Sequence, residues 1–234
     1  MATDSNDEPS ESVTAGGQGR PDIVGENLRS PDRVVFLSDG VFAIVMTILV
    51  LEIKVPHDLS HDSFQHALEQ LRPTLVAWII SFLITGMFWV AHRDIFARVR
   101  FVNRDLVWLN LLYLLPAALL PFAASLLGEY PDARIALQLY GIVAVAVSVM
   151  RLAMYWYVVR RPRLLWPRSS DRRLEEGFLL ATLPVGIYLI AIVIAFASTT
   201  ASIILLFSVP VIYFLAVTIA RERGGSSSEA DEFS

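Results

Sequence analysis

The sequence predicts an all-α membrane protein with six transmembrane helices per subunit, and three observations carry that reading. Hydrophobic residues occupy 55% of the 234 positions, charged residues only 18%, and the mean hydropathy is +0.54, well above an ordinary soluble domain. Six stretches approach the roughly 20 helical residues needed to cross a bilayer core about 30 Å thick. They lie at about 33–53, 73–91, 106–127, 134–158, 177–197 and 200–220. Each is a continuous apolar run, unlike the alternating strands of about ten residues that build a membrane β-barrel.

The elements follow in chain order. Residues 1–30 are rich in Gly, Ser, Asp and Glu and hold no apolar run, so they read as a disordered cytosolic tail and not a signal peptide. A six-span domain occupies 31–222, and Ser30 and Pro31 predict its start, with Ser30 as cap and Pro31 at the first helical position. Between the first two spans, Phe64, Leu68 and Leu71 recur at helical spacing, which predicts a short amphipathic helix on the outer side. His57, His61 and His66 lie there with Asp58 and Asp62; solvated loop histidines are favoured over a metal site. Pro73 is placed to begin the second span. Pro116, Pro121, Pro184 and Pro210 fall inside spans, where neighbouring helices can satisfy the freed backbone groups. Arg151 lies in the fourth span near its cytosolic end and is expected to snorkel. Residues 223–234 read as a flexible acidic tail. No cysteine is present, so disulfides and thiolate metal sites are excluded.

Orientation comes from Lys and Arg. The amino tail, the 2–3 and 4–5 connections and the carboxyl tail together hold fifteen, whereas the opposite side holds Lys54, Arg72 and Arg134. The positive-inside rule therefore predicts that both termini are cytosolic, which an even number of spans allows.

The first span is unusual in carrying Ser38-Asp39-Gly40 and a central threonine. On a helical wheel of about 100° per residue, Gly40, Ile44, Thr47, Ile48 and Leu51 form one stripe, while Ser38 and Asp39 point away from it. Charged groups in a span face protein or water, so both sides of this helix should be covered. Trp89 and His92 at the end of the second span and Asn110 near the start of the third are candidate partners for Asp39. From periodicity alone the stripe is open to two readings, ordinary helix packing or a special face. Arg33, at the cytosolic mouth, does not share a wheel position with Asp39.

The run Arg33-x-x-x-Leu37-Ser38-Asp39-Gly-Val-Phe-Ala-Ile resembles the Arg-x-x-x-Phe-Ser-Asp signature of the transmembrane protein 175 family, endolysosomal potassium channels and their prokaryotic homologues. The resemblance continues through "TILVLEIKVP", "FWVAHR", "WLNLLYLLPAALLPF" and "LLGEYP", covering about 33–131. Leu37 stands where Phe is usual, and His92-Arg93 where two histidines are frequent. The resemblance implies a potassium-preferring cation channel, with one six-span unit per chain assembled as a homotetramer in a prokaryotic plasma membrane. It further implies a central pore lined by the first helix, narrowest at Ile44, with Thr47 as a hydroxyl layer and Ile48 and Leu51 beyond. It brings no cofactor beyond the permeant potassium ion, and its partners are the chain itself and membrane lipid, not nucleic acid. Arg33, Ser38, Asp39, Trp89, His92 and Asn110 become an inter-helix hydrogen-bonding set.

Three other readings compete, one of them a purely structural membrane protein, which leaves the stripe unexplained. A proton-coupled secondary transporter would use Asp39 and His92, but it predicts inverted repeats and broken midplane helices, and no clear three-plus-three similarity is visible. An enzyme would have to use His92, Asp39 and Glu129, yet no HExxH, nucleophile elbow or paired-acid motif is present. No carbonyl-filter sequence of the TVGYG type occurs either, so the apolar stripe itself would have to control ions.

Overall fold

The computed structural model describes residues 28–53, 61–167 and 171–232. Seven α-helices follow in order among these residues: α1 Asp32–Leu51, α2 His61–Phe96, α3 Arg104–Ala117, α4 Leu120–Glu129, α5 Arg134–Val159, α6 Asp171–Ile194 and α7 Thr199–Glu232. A 3₁₀ turn, Pro162–Leu164, precedes α6. Six segments are long and apolar enough to cross a membrane: Asp32–Leu51, Leu71–Phe96, Arg104–Glu129, Arg134–Val159, Gly177–Ile194 and Thr199–Thr218. This is an all-α, six-span membrane protein.

Several boundaries differ from the sequence reading, each for a backbone reason. Pro31 is the cap of α1 and not its first helical residue, because its carbonyl accepts the first intrahelical bond, from Val35 at 3.0 Å. The amphipathic segment and the second span form one 36-residue helix with Pro73 inside it. At about 1.5 Å per residue this helix is some 54 Å long, well beyond a bilayer core, and only 71–96 is needed to span. His57 lies outside the described residues, and of the His61 and His66 side chains nothing is described. The third span is broken at Ala118–Leu119 into α3 and α4. Pro121 has no N–H for the Ala117 carbonyl, and the Leu119 N–H turns instead to the Pro116 carbonyl at 3.1 Å. At the other end, α7 continues to Glu232 past residues read as a flexible tail; no proline follows Pro210 to interrupt its hydrogen bonding.

Helix α5 is the centre of the bundle and packs on α3, α4, α6 and α7. Gly141 brings it close to α6, since a Cβ there would stand 2.6 Å from Ile192 Cγ1. Arg151 does not snorkel. It is buried, and its Nη2 donates to the Leu180 and Ala181 carbonyls, both at 2.9 Å, with the guanidinium 5.8 Å from the Tyr213 ring centre. Pro184 explains this position: it lacks the N–H that would bond Leu180, four residues back. The arginine supplies the missing donor. Helices α1, α6 and α7 are peripheral: 28% of the α1 span and 22% of each of the other two are buried, against 50% for Arg104–Glu129 and Arg134–Val159.

At one end of the bundle the α2–α3 and α5–α6 connections are joined backbone to backbone. Arg100 N–H donates to the Leu164 carbonyl at 2.7 Å and Trp166 N–H to the Arg98 carbonyl at 3.1 Å. Arg29 exchanges both backbone bonds with Val102, at 3.0 and 2.8 Å, so the residues just before α1 are tied to the same seam.

Candidate functional site

Helix α1 has two unlike faces. Ser38, Phe42, Val45 and Leu49 are buried against the rest of the bundle. Their spacing of three and four residues makes one side of a helix the packing side. The opposite side carries Leu37, Gly40, Ile44, Thr47, Ile48 and Leu51, all exposed in the protomer. Ile44 is 58% and Leu51 71% exposed, and Ile48 lies on the same face. Thr47 Oγ1 donates within its own helix, with the Ala43 carbonyl at 3.0 Å and the Ile44 carbonyl at 2.9 Å. Its proton is thereby used within the helix, and its oxygen remains able to accept a hydrogen bond.

The polar residues on the amino-terminal half of α1 divide between two neighbours. Trp89 Nε1 donates to Asp39 Oδ1 at 2.7 Å, a charge-assisted bond. Ser38, one residue earlier and about 100° round the helix, meets Asn110 of α3 instead: Asn110 Nδ2 donates to Ser38 Oγ at 3.0 Å. In that assigned amide orientation Asn110 Oδ1 faces His92 Nε2 at 2.8 Å, so Nε2 carries the imidazole proton. The His92 ring stacks on Tyr113 at 5.4 Å and 9°, and the Tyr113 hydroxyl donates to the Phe88 carbonyl at 2.9 Å. Of the three residues considered for Asp39, only Trp89 bonds to it among the described residues. His92 and Asn110 bond each other and reach Ser38. Arg33 is exposed and lines an apolar groove between α1 and α3 with Phe36, Leu37, Ile44 and Leu111.

Two participants were not singled out from the sequence. Ser125 Oγ donates to Glu52 Oε2 at 2.6 Å, which fastens the far end of α1 to α4. A carboxylate at the edge of an apolar run was the available signal, but nothing in the sequence points to Ser125. Tyr113, the platform for His92, looks like any core aromatic. Among the described residues no group of three or more His, Cys, Asp or Glu side chains is arranged to hold a metal ion.

Comparison with known proteins places this architecture. Residues 33–121 match the family described as endosomal/lysosomal potassium channel TMEM175. A Streptomyces collinus protein named as a potassium channel is 39% identical over 140 residues, covering 58% of this chain and 68% of that protein. Another so named, from Chamaesiphon minutus, is 32% identical over 187 residues, covering 78% and 92%. The chain belongs to the TMEM175 family. The crystal structure of a Chamaesiphon minutus homologue of the lysosomal potassium-selective channel TMEM175 superposes with a TM-score of 0.69 at 29% identity. It covers 79% of this chain and 96% of that one. The human endosomal/lysosomal proton channel TMEM175 is 29% identical over 204 residues, and this chain spans 39% of its length.

Proposed function

We propose that this TMEM175 protein is a potassium-preferring cation channel, assembled as a homotetramer with α1 of each subunit lining a central pore. The observation that carries the reading is the exposed apolar face of α1. A single helix cannot enclose a pore, so in this reading copies of Gly40, Ile44, Thr47, Ile48 and Leu51 from other subunits complete it. Ile44 lies eleven residues beyond Arg33, about 16 Å along the helix, near the middle of a bilayer core about 30 Å thick. Four Ile44 side chains meeting there form an apolar constriction that excludes ions by dewetting. Opening widens it, and the Thr47 oxygens offer a hydroxyl layer to a partly hydrated cation. Potassium loses water more readily than sodium, which favours it in such a passage.

Ser38, Asp39, Trp89, His92 and Asn110 serve in this reading as the clamp that fixes the amino-terminal half of α1, whereas Arg33 stands outside it on the exposed face. The bond from Trp89 supports a static role over a proton relay, because an indole N–H is a donor only and cannot pass a proton onward. The fifteen-to-three distribution of Lys and Arg supports a multi-pass protein with both termini cytosolic, in a prokaryotic plasma membrane. No cofactor is required. The test is ion flux from liposomes holding the purified protein: a potassium gradient should dissipate downhill with a proton gradient absent, faster than a matched sodium gradient. Potassium movement that occurs only when a proton gradient drives it would replace the channel with a coupled transporter.

A further inference from the structure

The seam between the α2–α3 and α5–α6 connections concentrates positive charge. Residues 98–105 and 160–166 hold six arginines and a single carboxylate, Asp105. That carboxylate is already occupied: it accepts from the Tyr157 hydroxyl at 3.0 Å and lies 3.9 Å from Arg161. Two further cations are held in place on aromatic faces. Arg100 sits 4.8 Å from the Phe101 ring centre and 5.3 Å from that of Trp166, and Arg160 lies 4.4 Å from that of Trp156. Arg163 has no ring or carboxylate partner among the described residues, and it lines a surface cleft with Arg160 and Arg161. The backbone bond from Arg100 to Leu164 brings Arg100 beside that cleft.

A second feature fixes the depth of this charge. Trp108, Trp156 and Trp166 are 56%, 50% and 51% exposed, and all three stand at this end of the bundle. Half-exposed indoles collect at the level of lipid headgroups. The arginines are therefore at phosphate depth, prearranged by stacking and by a rigid backbone seam, so little ordering remains to be done when an anion arrives. A guanidinium is always charged and presents paired donors that match a phosphate.

We propose that Arg100, Arg160 and Arg163 form a binding site for the phosphate of an anionic phospholipid headgroup, with Trp156 and Trp166 lying against the same lipid. Basic clusters at the membrane surface attract anionic lipid by an amount equivalent to about five-fold in association per arginine.

The full-length protein is reconstituted in vesicles of phosphatidylcholine containing either brominated phosphatidylglycerol or brominated phosphatidylcholine at equal bromine content. Tryptophan quenching then reports the relative association of the two lipids. The expected result is a several-fold preference for phosphatidylglycerol, unchanged by inorganic phosphate at constant ionic strength. R163Q alone, which disturbs no stacking, should remove part of that preference, and R100Q/R160Q/R163Q should bring it close to one. R134Q, at the other end of the bundle, should leave it intact. Equal quenching by both lipids in the unaltered protein overturns the proposal, as does a preference that survives in the triple variant. Loss of the preference on adding inorganic phosphate would mean that the site takes a free anion, and overturns its assignment to lipid.

Discussion

Replacing Trp89 with phenylalanine keeps an aromatic face for Arg93, whose guanidinium lies 5.1 Å from the ring centre, but removes the N–H that bonds Asp39 at 2.7 Å. A hydrogen bond to a charged group contributes about 1.5–3 kcal/mol. Asp39 is half-buried, so water recovers part of that loss and the lower half of the range applies, about 1.5–2 kcal/mol. Shrinking indole to phenyl in a partly buried site adds about 1 kcal/mol. W89F should therefore lose roughly 2.5–3 kcal/mol, and D39A about 2 kcal/mol through the stranded indole N–H and the lost bond. Because both changes remove the same bond, the double variant should lose clearly less than the sum, with a coupling of about 1.5 kcal/mol. The assay is equilibrium denaturation in detergent for the four proteins of this cycle. Losses that simply add would refute the clamp as an energetic unit, whatever the distance between the atoms.

Three further outcomes are expected. R151M should destabilise the bundle by about 1–3 kcal/mol by stranding the Leu180 carbonyl, and P184A should recover much of that loss because an alanine N–H can bond Leu180 again; a rescue that fails would remove Pro184 as the cause of the arginine's position. S60C and S169C, in a chain without cysteine, should label from opposite sides of the membrane, and labelling of both from one side would sink the orientation. V45N should mainly lower the yield of folded protein, since Val45 faces the bundle core at 4% exposure; a well-folded V45N protein with altered conductance would mean that the wrong face of α1 has been assigned to the pore.

The six spans were legible because crossing a bilayer is a one-dimensional requirement on length and hydropathy. Long-range backbone chemistry was not. Arg151 seemed free to reach the surface because the carbonyl that it serves is freed by a proline 33 positions away in another helix. Pro121 was visible as a proline within a span, but whether the chain breaks there depends on a local turn at Ala118–Leu119 that periodicity does not report. Near the amino-terminal end of α1, Trp89 and His92 are three residues apart and so share a face of α2, which made both reasonable partners for Asp39. The 100° step between Ser38 and Asp39 divides them: the carboxylate meets the indole, while the serine meets Asn110 and through it His92. The arginine seam lay hidden for a different reason, since backbone hydrogen bonds between two connections leave no side-chain pattern to read.

The central claim is that the exposed stripe of α1 lines the pore with Ile44 at its narrowest point, and I44N tests it most directly. The asparagine would place a wet, polar ring where four isoleucines keep water out, without touching the buried face of the helix. With assembly verified by chromatography, potassium conductance in reconstituted liposomes or planar bilayers should rise several-fold at rest, and the preference over sodium should weaken. A well-assembled I44N protein with unchanged conductance and unchanged selectivity would contradict the account and put the constriction elsewhere.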